Sequence, residues 1–356
     1  MDILLDARRL TAREEAHRYL KEMLSFPEYY GGNLDSLHDC LTELGRKRIR
    51  FIGLTENKGG YLGRILRVFE DAAEENERLT VITTQYRVIA LDMDGTVLDD
   101  EKRIRPETAQ AIRDALLSGR DVVFCTGRNY TEMLEYLEMF PDMRYLLGES
   151  GGLIMDLRND EILHLVTLSP ETLGILRDVS EGRDIMPHAF CRGESWMNRS
   201  QQMRAAHYQM EPFQELFRKA ARTTEDLFEK IFSERLNAEK LNLYHTSPEE
   251  REITRERILA AGADAEMVDA NVSVLEFSPR GVSKGSGLKK LAQIMGISTD
   301  EIIMAGDAPN DIAGLKEAGF AVAMGNASEE VKAVCDTVVA DNNHDGCAEA
   351  IRRFLL

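Results

Sequence analysis

The sequence predicts an α/β protein in which a doubly wound parallel sheet carries an inserted α+β cap and follows a small α/β domain. Three observations predict it. From Val88 onward, short apolar strands alternate with amphipathic helices, the pattern of a parallel sheet covered on both faces. After Gly151 this alternation gives way to longer, more polar strands, and it resumes near Lys284. The first 85 residues form a strand and helix series of their own, and 356 residues are too many for one typical core.

In chain order, the opening unit reads as a strand at 3–5, a helix at 11–23, a Tyr/Gly loop and a helix at 34–44. A strand at 49–54, a Gly-rich turn, a helix at 61–76 and a strand at 79–83 complete it. TQYR (84–87) then runs directly into the next strand, so the two units are expected to dock rather than swing on a linker. The core begins with VIALD, a helix at 106–118, VVFCTG and a helix at 130–140. The insert reads as GLIMDL, EILHLVTL, KLNLYH and VSVLEF, with helices around 211–220 and 248–261. A helix at 284–295 and the strands EIIMAGD, FAVAMGN and TVVAD return to the core. The expected division is a small domain at 1–85, core at 86–150, cap at 151–276 and core again at 277–356.

Composition narrows the function classes. With 44 basic and 62 acidic residues the formal charge is -18, which repels nucleic acid at long range. The first 85 residues hold 15 acidic against 13 basic, so most of the acidity lies downstream. No apolar run approaches the roughly 18 residues that span a bilayer, so no membrane partner is expected. MDILLDARRL has acids inside its apolar stretch and does not read as a secretory signal. The five cysteines (Cys40, Cys125, Cys191, Cys335, Cys347) contain no C-x-x-C pair and read as reduced core residues of a cytoplasmic protein.

The chemistry concentrates where open parallel sheets bind ligands, beyond the carboxyl ends of the strands. LDMDGT puts Asp92 and Asp94 two apart at the first core strand end, with Gly95 to turn the chain and Thr96 after it. VVFCTGR ends in Thr126, Gly127 and Arg128; Lys284 opens a later helix; GDAPND brings Asp307, Asn310 and Asp311 to another strand end. Singly, each has a structural reading: D-x-D as a turn device, Lys284 as a surface lysine, Thr126-Gly127 as a helix start. Together they describe a site. Carboxylates from two strand ends are hard oxygen ligands suited to Mg²⁺, and such a site acts on phosphate. Attack by Asp92 on phosphorus would divide the reaction through an aspartyl-phosphate, with Asp94 moving the proton.

DMDGTVLDD, CTGR, VSKGSGLKKL and GDAPNDIAGL resemble the four motifs of the haloacid dehalogenase phosphatase superfamily. The long insert and the tail AMGNASEEVKAVCDTVVADNNHDGCAEAI are similar to its Cof-type branch, over residues 87–356. The resemblance implies a phosphoric monoester hydrolase with Asp92 as nucleophile, Asp94 as acid and base, and Thr126 and Lys284 binding phosphate. It implies Mg²⁺ on Asp92, the Asp94 carbonyl and Asp307, supported by Asp311, with Gly95, Thr96, Gly127, Arg128 and Asn310 completing the substrate contacts. The sequence departs from the branch at Ser150-Gly151-Gly152, where Asn-Gly-Ala is usual, and at Pro309, where a polar residue is usual. Substrates are expected to be small phosphate esters such as sugar phosphates, pyridoxal phosphate or flavin mononucleotide. Within the cap, DIMPHAFCRGESWMNR offers His188, Arg192, Trp196 and Arg199 as specificity candidates.

PEYYGGNLDSLHDCL resembles the signature of barstar, the intracellular inhibitor of the ribonuclease barnase, and VFEDAAEE resembles its later acidic helix. This implies a protein-binding surface of Tyr29, Tyr30, Asn33, Asp35, Asp39 and Asp71, offered to a barnase-type ribonuclease or another basic protein. Asp35 and Asp39, four apart on a helix, share a face. His38 stands where the inhibitor has tryptophan. The run RKRIR at 46–50 reads as a solvated edge. The competing readings are therefore a metabolite phosphatase, an interaction protein with a subordinate enzyme domain, and a small domain that covers the cap or joins subunits.

Overall fold

The computed structural model describes residues 3–54 and 59–356, so the Gly-rich turn read before the helix at 61–76 lies partly outside the described residues. Strands β1 (Ile3–Asp6), β2 (Lys47–Ile52) and β3 (Leu79–Ile82) form a parallel sheet in the order β1-β2-β3. Helices Arg13–Leu24, Leu34–Thr42 and Gly60–Glu75 bury Leu20, Leu37, Ile65 and Phe69 with Ile49 and Phe51 of β2. RKRIR is solvated only in part: Arg46, Lys47 and Arg48 are exposed, and Ile49 and Arg50 are buried. It enters the central strand, whose alternation sends Ile49 and Phe51 into this core and leaves Arg50 2% exposed on the other face.

The large sheet has the order β17-β16-β15-β4-β5-β6-β7-β8. Its strands are β4 (Val88–Leu91), β5 (Asp121–Cys125), β6 (Tyr145–Gly148), β7 (Leu153–Asp156), β8 (Glu161–Leu165), β15 (Ile302–Gly306), β16 (Phe320–Ala323) and β17 (Thr337–Val338). Pairing is parallel from β17 through β6, and β7 and β8 add an antiparallel hairpin. GLIMDL and EILHLVTL, read from sequence as the start of the insert, therefore extend the core sheet. The reason is that β7 is apolar on both faces: Leu153 and Met155 join one side of the core and Ile154 the other.

A second, six-stranded sheet follows the order β11-β10-β9-β12-β14-β13. Its strands are β9 (Met186–Cys191), β10 (Glu194–Asn198), β11 (Ala221–Thr224), β12 (Lys240–Tyr244), β13 (Glu266–Asn271) and β14 (Val274–Ser278). The period-2 pattern assigns its faces. Leu241, Leu243, Leu275 and Phe277 pack with helices Pro170–Ser180 and Pro248–Ala261, whereas Lys240, Asn242, Tyr244 and Glu276 line a cavity over the core strand ends.

The small domain sits at the opposite, amino ends of the core strands. Arg50 donates to the Tyr86 hydroxyl at 2.6 Å and to the Gly319 carbonyl at 2.5 Å, just before β16, and lies 3.5 Å from Asp336, just before β17. Its guanidinium also lies 5.0 Å over the Phe320 ring. Arg8 donates to the carbonyls of Arg352 and Arg353 at the end of the chain. Among the described residues these contacts make a docked interface far from the carboxyl edge, not a cover over the cap.

Arg50→Met removes the charge from this seam together with its donors to the Tyr86 hydroxyl and the Gly319 carbonyl. Denaturant unfolding should show a loss on the order of 2–4 kcal/mol; a loss below about 0.5 kcal/mol would mean the guanidinium does not hold the domains together.

Candidate active site

Each functional side chain is delivered by the end of a buried strand or the start of a helix. Asp92 follows β4, and its N–H donates to the Ala305 carbonyl of β15, so the turn starts from a paired, fixed position. Gly95 has φ of 84° and lies so close to the Asp307 carboxylate that a side chain there would collide with it. Lys284 begins helix Lys284–Met295, capped by Ser283 and Ser286. Its fully buried ammonium bonds the Asp92 carboxylate and, at 2.6 Å, Asp311.

Carboxylate oxygens of Asp92, Asp307 and Asp311 lie within 4.8 Å of one another. Asp311 also accepts from the N–H groups of Asp307 and Ala308, both at 3.0 Å, which locks the loop after β15. Burial pushes the Asp92 carboxyl up, with Asp311 and Asp307 adding to the rise and Lys284 opposing it. Burial likewise raises Asp307 to about 6, against a hydrogen bond from Thr96. Three carboxylates facing one ammonium leave negative charge in excess, and their hard oxygens fit a divalent cation.

Asp94 points elsewhere. It takes a bidentate pair from Arg128, at 2.8 and 2.7 Å, and a third bond from Lys102 at 2.8 Å. Burial would raise its pKa, but these cations outweigh it and hold the carboxyl at about 2.

Asp92, Asp94, Thr126, Gly127, Arg128 and Asn310 line one cavity of about 540 Å³ beneath the six-stranded sheet. Gly95, Thr96 and Lys284 are not among its lining residues, and the Thr96 hydroxyl donates to Asp307 at 2.8 Å, which orients that carboxylate. Of the cap candidates, His188 lines the cavity. Trp196 falls on the opposite face of its strand, Arg199 pairs with Glu225 in solvent, and Arg192 gives its backbone N–H to Glu239. Sequence reasoning missed Lys102 and also Asn326, whose amide donates to the Gly95 carbonyl at 2.8 Å. It also missed Glu132, Lys240, Asn242, Tyr244 and Glu276 in the cavity wall. The alternation in KLNLY was the available signal: the two leucines mark the packed face, so the other three residues must face the site.

In the small domain, Tyr29 is 73% exposed, and Asp35, Asp39 and Asp71 are exposed as well. Tyr30 and Asn33 are not available in the same way. The Tyr30 ring is buried with its hydroxyl on His17, and Asn33 caps helix Leu34–Thr42 by accepting from Ser36.

Comparison with known proteins agrees with this architecture. The profile of the haloacid dehalogenase-like hydrolases matches residues 89–351, and that of barstar, the barnase inhibitor, matches residues 1–86. The chain is 27% identical over 272 residues to the 5-amino-6-(5-phospho-D-ribitylamino)uracil phosphatase YcsE of Bacillus subtilis, covering 76% of this chain and 96% of that one. It is 27% identical over 271 residues to a phosphoglycolate phosphatase of Methanothermobacter thermautotrophicus, covering 76% and 99%. A haloacid dehalogenase-like hydrolase from Bacteroides thetaiotaomicron superimposes with a TM-score of 0.67 at 25% identity, over 75% of this chain and 99% of that one.

One wall residue gives a pH prediction. Burial raises the Glu132 carboxyl from 4.5 to about 7, against the pull of Arg128. The folded state therefore holds this proton more tightly. The stability it contributes is complete below the unfolded value and is lost as pH rises through the folded one. Glu132→Gln, a mimic of the protonated form, should melt close to wild type near about pH 5 and a few degrees higher near about pH 8; a pH-independent difference would contradict this.

Proposed function

The chain belongs to the haloacid dehalogenase-like hydrolases and is a phosphoric monoester hydrolase for small phosphorylated metabolites; we propose that it works with Mg²⁺ through an aspartyl-phosphate on Asp92. The observation that carries this reading is the group of buried Asp92, Asp311 and Lys284 with half-buried Asp307 at the strand ends, which reaches the cavity through Asp92.

Asp92, the Asp94 backbone carbonyl and Asp307 would hold Mg²⁺, with Asp311 supporting them, and the cation would supply positive charge to the phosphate oxygens. The protein's own groups do the rest. An Asp92 oxygen forms a bond to phosphorus as the ester oxygen departs, and Asp94 gives that oxygen a proton. Water then attacks phosphorus, Asp94 takes its proton, and the bond to Asp92 breaks to release phosphate. Thr126, Lys284 and Asn310 hold the transferring group, and Lys284 offsets its charge. In the free protein Arg128 and Lys102 keep Asp94 ionised. Asp94 serves as an acid only after the negative charge of the ester draws those cations away. The division into a small domain, a core and a lid belongs to the same reading, since the six-stranded sheet roofs the cavity.

Hydrolysis of an aryl phosphate should need Mg²⁺ and vanish with a chelator. Asp92→Asn should lower it by roughly 10³-fold or more with the fold intact; activity near wild type in that variant would overturn the mechanism.

A second reading concerns residues 1–86, supported by their match to barstar and by exposed Tyr29, Asp35, Asp39 and Asp71. That face could meet a cationic protein surface while the enzyme works at the other end. The intact chain should then inhibit a barnase-type ribonuclease, and Asp39→Ala should weaken the inhibition. Unaffected RNA cleavage at high micromolar protein would rule it out.

A further inference from the structure

Asn242, midway along β12, lines the cavity and is 4% exposed. Its Nδ2 donates to the Tyr244 hydroxyl at 3.2 Å, while its buried Oδ1 has no hydrogen-bond donor among the described residues. Its neighbours are already committed. The Tyr244 hydroxyl lies 3.1 Å from His188 Nδ1, and His188 Nε2 bonds the Ser195 hydroxyl. Burial lowers the His188 pKa to about 3, so the ring is neutral and has one donor and one acceptor. With Nδ2 turned to Tyr244, the hydroxyl donates to Nδ1 and the Nε2 proton goes to Ser195. This relay closes on itself and leaves the Asn242 acceptor open. Buried polar atoms are nearly always paired, so an open one on a side chain that lines a cavity points to a ligand.

The surrounding wall says what kind. Phe190, Phe217 and Tyr244 line the same cavity, with the rings of Phe217 and Tyr244 5.7 Å apart. Lys240 and Glu276, also in the wall, neutralise one another at 2.5 Å. The aromatic part of this wall suits the face of a flat ring. We propose that Asn242 Oδ1 is a specificity-determining acceptor for an N–H or O–H on the edge of a flat ring, carried by the phosphate ester and packed against these aromatic side chains. This rests on the phosphatase reading above.

Three probes separate ring from donor: flavin mononucleotide has both, p-nitrophenyl phosphate has a ring without a donor, and glucose 6-phosphate has donors without a flat ring. Wild type with Mg²⁺ should show kcat/KM for flavin mononucleotide at least about tenfold above glucose 6-phosphate. Asn242→Leu should lose about 10- to 100-fold on flavin mononucleotide and keep p-nitrophenyl phosphate turnover within about threefold, which also reports that it folds. The proposal is overturned if wild type does not favour the flavin, if the variant leaves flavin turnover unchanged, or if both ring substrates fall alike. Failure of the premise looks different: wild type would hydrolyse none of the three, and the proposal would go with it.

Discussion

The buried ammonium of Lys284 holds together two carboxylates, Asp92 and Asp311, that would otherwise repel one another. Desolvation works against its charge, and the two carboxylates outweigh that penalty, raising its pKa. Three separate pieces of chain meet there: the end of β4, the start of helix Lys284–Met295 and the loop after β15. Removing the lysine would leave uncompensated buried anions, a larger loss than the bond itself is worth. The cluster therefore fixes the register of the loops as well as the charge of the site. The anions that remain unbalanced make it receptive to a divalent cation.

Around this centre, the fold is arranged by close approach and by alternation. Gly95 lets the Asp307 carboxylate come against the backbone, and Thr96 and Asn326 then orient that carboxylate. Above it, β9, β12 and β14 present one face to the cap helices and the other to the cavity, so one layer of residues builds the lid core and the next lines the cavity. Asp94 stands between the two regions, held by Arg128 and Lys102.

Much of this was legible in the sequence. Asp92, Asp94, Thr126, Lys284 and Asp307 stood out in the sequence as particular residue types beside short apolar runs, and the structure brings them to one edge of the sheet. Thr96 stood out as a substrate contact, and in the structure its hydroxyl donates to Asp307. The β7–β8 hairpin misled because an antiparallel extension has no local mark distinguishing it from the start of an insert. In the cap, the sequence offered His188, Arg192, Trp196 and Arg199, although strand parity decides which side chains face inward. Parity keeps His188 of these and adds Asn242. Arg50 was unreadable as a buried contact, since its partners Gly319 and Asp336 are distant in the chain and nothing around RKRIR signals them.

The small domain docks at the amino ends of the core strands, so it and the cavity lie at opposite ends of the sheet. The central claim is that the carboxylate and lysine cluster is the phosphoryl-transfer centre, and a crystal grown with Mg²⁺ and beryllium fluoride tests it most directly. The account predicts a beryllium fluoride adduct on the Asp92 carboxylate, bonded by Thr126 and Lys284, with the cation between Asp92 and Asp307. An adduct on another residue, or a cation bound away from Asp92 and Asp307, would contradict it.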